Sequence, residues 1–259
     1  MAMAMTEMEL LVDFHRKGER QGPGSSKDTL RALDLLKLPK DKNLAVADIG
    51  CGTGAQTLCL AENLEAHIWA IDLFPEFLEE LERRAEAQGL RKKIKVQQAS
   101  MDQLPLNPES LDLIWSEGAV YLMGFREGIQ YWKKHLVPGG FLALSEITWT
   151  TAERPAEIEN HWRSAYGQIA TAAEKIKVLE DCGFSPQGFF LLDEESWEKN
   201  YYQAAEARFP AFLAKHQQLP AARQLIENER EEIRLYRKYK DYFNYGFYLA
   251  QMAPERETE

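Results

Sequence analysis

Short apolar runs alternate with amphipathic stretches through the first two thirds of the chain, the arrangement expected of a parallel sheet covered by crossover helices and so of an α/β fold. Buried-strand runs are read at Asn43 to Ile49 (NLAVADI), His67 to Ile71, Leu111 to Trp115, Phe141 to Ile147 and Gln187 to Leu192, with an alternating strand at Lys93 to Gln97. Between them, Thr53 to Glu65 and Phe74 to Gln88 read as helices; the second repeats Phe74, Phe77, Leu78 and Leu81 at spacings of three and four and stops at Gly89. A further helix ends over Ile129 to Leu136, the turn Pro138-Gly139-Gly140 introduces the fifth strand, and Thr171 to Asp181 forms the helix before the sixth. The alternation then breaks. Residues Asp193 to Phe243 read as helices throughout, and only after them does a last strand-like run, Tyr245 to Met252, appear. The polar tail Pro254 to Glu259 is expected to fray.

Composition narrows the function classes. A chain of 259 residues with 31 basic and 41 acidic side chains, a formal charge of -10, is long enough for one large domain or one domain with an elaborate insertion. Its acidity argues against a broad phosphate-binding surface, so nucleic acid is not expected as a partner. Cys51, Cys59 and Cys182 form no CxxC pair and leave an odd thiol, which fits a reducing compartment; with no basic leader at the start, the expected location is the cytoplasm. No run of 18 apolar residues predicts a membrane span. The five histidines show no spacing such as HExxH, so no metal site is expected.

The strongest local signal is Val46-Ala47-Asp48-Ile49-Gly50-Cys51-Gly52-Thr53-Gly54, where the first strand hands over to the following helix. Small residues there let the backbone approach a ligand closely, at the carboxyl end of the strands where open α/β sheets bind theirs. Two carboxylates strengthen the signal: Asp48 before the first glycine, and Asp72 at the end of strand two, where it can accept from ribose hydroxyls. Asp72 also reads as a helix N-cap.

On these residues the chain resembles the class I S-adenosylmethionine (SAM) dependent methyltransferases, over roughly residues 20–192. The landmarks appear in order: VADIGCGTG, the ribose acid Asp72 with Leu73 in WAIDLFP, the adenine-flanking segment Ala99-Ser100-Met101-Asp102-Gln103-Leu104-Pro105, the strand Leu111 to Glu117 with Gly118, and Leu136-Val137-Pro138-Gly139-Gly140. A nicotinamide dehydrogenase, the main competitor on this fold, would show GxGxxG and a charge for the pyrophosphate, whereas no Lys or Arg lies between Asn43 and Pro75. The resemblance implies a Rossmann-like doubly wound sheet of seven strands, mostly parallel with the last strand antiparallel beside the sixth, and SAM as cofactor. It assigns cofactor binding to Gln21, Asp48, Gly50, Gly52, Gly54, Gln56, Asp72, Leu73, Ser100, Met101, Asp102 and Glu117.

Beside each assignment stands a plainer one: a loop-bracing role for Asp48, a solvent-facing helix position for Gln56, a turn for Asp102, a cap for Glu117. The loop Glu19-Arg20-Gln21-Gly22-Pro23-Gly24-Ser25 reads either as a connection before a surface helix or as a lid with Arg20 or Gln21 on the SAM carboxylate. Should the acceptor need a general base, Glu117 and His161 are the candidates, although His161 also reads as a packing histidine.

Strand six and an antiparallel strand seven would both meet the sheet edge at the cofactor mouth, which makes the helices between them a lid. The chain then divides into a SAM-binding core with an N-terminal helical lid (1–192), a helical insertion (193–244), and the last core strand with its tail (245–259). The expected reaction is methyl transfer to a small-molecule acceptor. The alternatives are a protein or RNA methyltransferase and a SAM-binding protein without catalysis; the oligomeric state stays open, with a homodimer allowed.

Overall fold

The computed structural model describes residues 5–217 and 219–253, so the tail expected to fray lies outside the described residues. A mixed sheet runs in the order β3-β2-β1-β4-β5-β8-β7, with β1 Leu44–Ile49, β2 Ala66–Asp72, β3 Ile94–Gln98, β4 Leu111–Glu117, β5 Leu136–Trp149, β7 Phe184–Leu191 and β8 Phe243–Met252. The pairs from β3 to β5 are parallel, while β8 is antiparallel to both β5 and β7. The last strand therefore lies beside the sixth long strand, in the opposite direction, and the doubly wound α/β class holds. One strand is additional: β6, only Ala170–Thr171, pairs with the end of β5.

Two boundaries differ from the sequence expectation for local reasons. Leu136 does not end a helix; α5 closes at Lys133 (Phe125–Lys133), and Leu136 opens β5. The turn signal Pro138-Gly139-Gly140 becomes a bulge inside β5: register jumps from Leu111↔Leu136 to Leu113↔Phe141. Likewise β7 starts at Phe184 and runs through Pro186, where the register to β8 shifts. An edge strand tolerates a proline at a bulge because one side of its backbone makes no ladder bonds.

Helices α2 Ser26–Leu36, α3 Ala55–Asn63 and α4 Pro75–Ala87 cover one sheet face, whose buried centre includes Leu60, Leu81, Trp115, Ala143 and Phe247. The other face packs Ile114, Leu144 and Tyr248 against α5 and α7 Ala172–Asp181. Each of α2 and α7 starts where a hydroxyl caps it, Ser25 accepting from the Asp28 N–H and Thr171 from the Glu174 N–H. A third apolar cluster sits over the sheet edge. It joins α1 Glu7–His15 to α8 Glu194–Trp197, a π-helical turn Glu198–Gln203, α9 Ala204–Lys215 and α10 Pro220–Tyr239. Trp197 stacks on Tyr236 at 4.7 Å and Phe14 packs on Phe209 and Phe212, so most insertion aromatics hold these helices to one another.

Candidate active site

The end of β1 is built to hold the glycine loop still. The amides of Gly50 and Cys51 both donate to the Ile71 carbonyl, tying the loop to the end of β2. Asp48 is fully buried beneath it and accepts from the Thr57 hydroxyl and from Gln56 Nε2, both on α3. Burial raises the Asp48 pKa to about 7, because these donors, which favour the ionised form, do not offset the loss of water. Asp72 Oδ2 accepts from the Gly52 N–H at 2.9 Å and Oδ1 from the Phe74 N–H at 3.0 Å, so one carboxylate fixes the loop and the entry to α4; burial pushes its pKa up.

The turn depends on its glycines. Gly54 has φ +86°, and a Cβ there would lie 2.1 Å from Leu81 Cδ1 in the core. Gly54→Ala is expected to lower stability by about 2–4 kcal/mol in urea unfolding, from overpacking and left-handed backbone strain together. A change below ~0.5 kcal/mol would show that the turn is not held as described.

The loop after α1 closes over this turn. Gln21 Oε1 accepts from the Thr53 N–H at 2.8 Å, its Nε2 donates to Thr53 Oγ1 at 3.0 Å and to the His15 carbonyl at 3.2 Å, and a Cβ on Gly52 would meet its Oε1. Arg84 of α4 donates to the carbonyls of Gly18 and Glu19. Next to Gln21, Arg20 Nη1 reaches Glu117 Oε2 at 2.8 Å, in a pair whose side chains are 7% and 6% exposed. Glu117 Oε1 accepts from Thr29 Oγ1 and from the Trp115 indole, each at 2.9 Å. Glu117 is thus a paired carboxylate with three donors. Arg20 Nη2, by contrast, is buried with no hydrogen-bond partner. An unpaired buried guanidinium N–H is costly, and it is a donor that a carboxylate could take up.

Farther along the edge, the Met101 carbonyl accepts from the Trp132 indole at 2.8 Å, and Ser100 Oγ donates to Asp102. Met101 is half-buried, whereas Asp102 and Leu73 are exposed. His161 stands apart on α6 Ala156–Ala165, half-buried and edge-on to Trp162 at 5.2 Å; burial lowers its pKa and Glu231 acts the other way. Thr29, Trp115 and Tyr245, whose ring covers Gly118, were not among the residues the sequence singled out. Among the described residues, no group of three or more His, Cys, Asp or Glu could hold a metal ion, and no helix is long and apolar enough to cross a membrane.

A family model of the methyltransferase domain matches residues 46–140, the span from the glycine loop to the start of β5. Residues 46–140 thus form a methyltransferase domain. The chain is 28% identical over 164 residues to the uncharacterized methyltransferase YodH of Bacillus subtilis, covering 62% of this chain and 69% of that protein. By fold, this methyltransferase superposes on a SAM-dependent methyltransferase from Geobacter sulfurreducens in complex with S-adenosyl-L-homocysteine, with TM-score 0.82, 16% identity, and coverage of 95% of this chain and 98% of that one. It superposes equally on YjhP from Escherichia coli, with TM-score 0.82, 19% identity, and coverage of 94% and 99%. The residues present fit a ligand with both a carboxylate and a cation: a buried, unpaired guanidinium N–H on Arg20, and the carboxylates of Asp48 and Asp72 at the glycine loop, Glu117 being already paired with Arg20.

Proposed function

We propose that this methyltransferase acts on a small-molecule acceptor enclosed between the carboxyl edge of the sheet and helices α8 to α10. The observation that carries the reading is the closure of the edge beyond Glu117: Tyr245 lies over Gly118, and Gly24 and Asn200 hydrogen-bond the N-terminal loop to the lid helices. A protein or RNA substrate needs an open groove instead. Held at the glycine loop by Arg20 and Asp72, SAM would supply an electrophilic sulfonium methyl group for an acceptor lone pair, with S-adenosylhomocysteine as the leaving thioether.

In this reading Arg20 Nη2 receives the cofactor carboxylate, and Gln21 locks the loop over Gly52. Gly50, Gly52 and Gly54 allow close approach, Asp72 takes the ribose hydroxyls, and Leu73, Ser100, Met101 and Asp102 border the adenine. Gln56 braces Asp48 from below. Glu117 holds Arg20 in place through the ion pair between them. His161 supports α6 through Trp162. A nucleophilic acceptor then needs alignment and exclusion of water more than a base. Incubation with SAM and fractionated metabolites, followed by mass spectrometry, should yield S-adenosylhomocysteine with one methylated small molecule; methylation confined to protein or RNA fractions would sink the proposal.

Asp48 makes SAM binding pH-dependent. A cation above the loop favours the ionised carboxylate, so binding draws the Asp48 pKa down from about 7 and releases a proton. Affinity should therefore be weakest below that pKa, rise as the pH passes through it, and level off above. One linked proton gives at most about tenfold per pH unit. Calorimetry between acid and alkaline pH should show this rise in the native protein and a flatter profile in Asp48→Asn; identical profiles would remove Asp48 from the linkage.

A further inference from the structure

Arg20 and Gln21 sit in a loop whose two sides are held by different chemistry. Toward the sheet edge its contacts are polar: Gln21 with Thr53, Arg20 with Glu117, Thr53 Oγ1 with the Glu19 carbonyl at 3.0 Å, and Arg84 with the Gly18 and Glu19 carbonyls. Toward the insertion the loop is carried by α1, and that helix is set in an apolar cluster. Leu10 and Phe14, one turn apart, are each 1% exposed and share their cluster with Phe209 and Phe212 of α9 and Ile226 of α10. Water can replace hydrogen bonds across the first seam, whereas parting the second would expose two large apolar side chains. The insertion therefore holds the loop more firmly than the glycine turn does.

A charged clasp lies beside the apolar contact. Both oxygens of Asp13 accept from Lys215 Nζ, at 2.6 and 2.5 Å, and Oδ2 lies 2.9 Å from His216 Nε2. Lys215 and His216 close the end of α9. The Asp13 and His216 side chains are only 12% and 6% exposed, so this contact escapes most of the screening that makes surface pairs weak. Two residues on, His15 Nε2 stands 3.5 Å from Glu229 Oε1 of α10. The His15 carbonyl in turn accepts from Gln21 Nε2, whose amide lies over Gly52. Contacts thus run unbroken from the end of α9, through the last turn of α1, to the glycine loop.

We infer that Asp13 is a positioning residue for the cofactor: by clasping α1 to Lys215 and His216, it keeps Arg20 and Gln21 over the glycine loop, and the insertion helices set how firmly the cofactor is held. The inference rests on the SAM-dependent reading above. Asp13 acts through the loop, since its hydrogen-bond partners lie on α9. Loosening the clasp lowers the fraction of molecules whose loop is docked, and the apparent affinity falls in proportion to that fraction. The helices that enclose the acceptor and the loop that seats the cofactor are in this way one connected unit.

The test uses the full chain with S-adenosylhomocysteine as the probe. Calorimetry should show binding weakened about tenfold in Asp13→Ala and about threefold in Asp13→Asn, which keeps one acceptor oxygen. Lys215→Met/His216→Gln removes the clasp from the other side and should cause the same loss. Combined with Asp13→Ala it should add less than about twofold, as expected of groups that act as one contact. Glu157→Ala is the control. Glu157 of α6 accepts from Arg234 at 2.7 Å and Lys238 at 2.6 Å, both on α10, so this variant breaks a clasp of the insertion that does not reach α1. Its affinity should stay within about twofold of native. Thermal melting without ligand measures the stability lost in each variant. Native affinity in the Asp13 and Lys215/His216 variants would overturn the positioning role, as would an equal affinity loss in Glu157→Ala at an equal fall in melting temperature. Failure of the native chain to bind S-adenosylhomocysteine would instead overturn the cofactor reading beneath it.

Discussion

Arg20→Met should cost this methyltransferase both stability and most of its affinity for SAM. The substitution leaves Glu117 buried with donors only from Thr29 and Trp115. Breaking a buried ion pair from one side costs about 3–5 kcal/mol, because the remaining charge is uncompensated. Cofactor affinity should fall about 10- to 100-fold, since the guanidinium also carries the buried N–H without a partner. The double variant Arg20→Met/Glu117→Gln separates the two effects. A neutral amide oxygen keeps Thr29 and Trp115 satisfied, so most of the stability should return in urea unfolding, whereas calorimetry should still show weak SAM binding. Native affinity in the double variant would reduce Arg20 to a strut for the loop.

That pair also shows where the sequence stops being readable. Everything carried by neighbouring residues was legible: the strand-to-loop-to-helix passage from Val46 to Gln56, the carboxylate at the end of β2, and the glycine punctuation. Their partners lie a few residues away or one strand over. Arg20 and Glu117 are 97 residues apart, and Thr29 is 88 from Glu117. No periodicity links such positions, because the contact exists only once α2 has packed against α3 and β7 and the loop has folded over the sheet edge. The same holds for Tyr245. Its alternation within β8 marks it as a strand residue, but that it covers Gly118 follows from β8 running antiparallel to β5, with Ile147 opposite Tyr245. The bulges in β5 and β7 were hidden differently. Pro138-Gly139-Gly140 and Pro186 are turn residues by composition, and only the partner strand's register turns them into kinks within a ladder. Aromatic residues of the insertion were visible as a class, yet which pack and which line a space depends on the faces of three helices together.

Asp72→Ala should be the second large effect, and it tests whether the carboxylate at the end of β2 does more than cap a helix. Two backbone N–H groups lose their acceptor at once, Gly52 in the loop and Phe74 before α4. Hydrogen bonds to charged groups contribute about 1.5–3 kcal/mol each, so a cap alone would show mainly as lost stability, partly recovered in Asp72→Asn, whose amide oxygen still accepts from one of the two. If Asp72 also holds the ribose hydroxyls, both variants should weaken SAM binding. The expected loss is about 100-fold for alanine and about tenfold for asparagine, which keeps an acceptor but no charge. Thermal melting in the absence of cofactor measures the first contribution, and calorimetric titration with SAM at a temperature where each variant is folded measures the second. A large fall in melting temperature with unchanged SAM affinity would assign Asp72 to the helix alone. The separation works because the amides of Gly50 and Cys51 are held independently by the Ile71 carbonyl, so the loop keeps one of its two tethers in either variant.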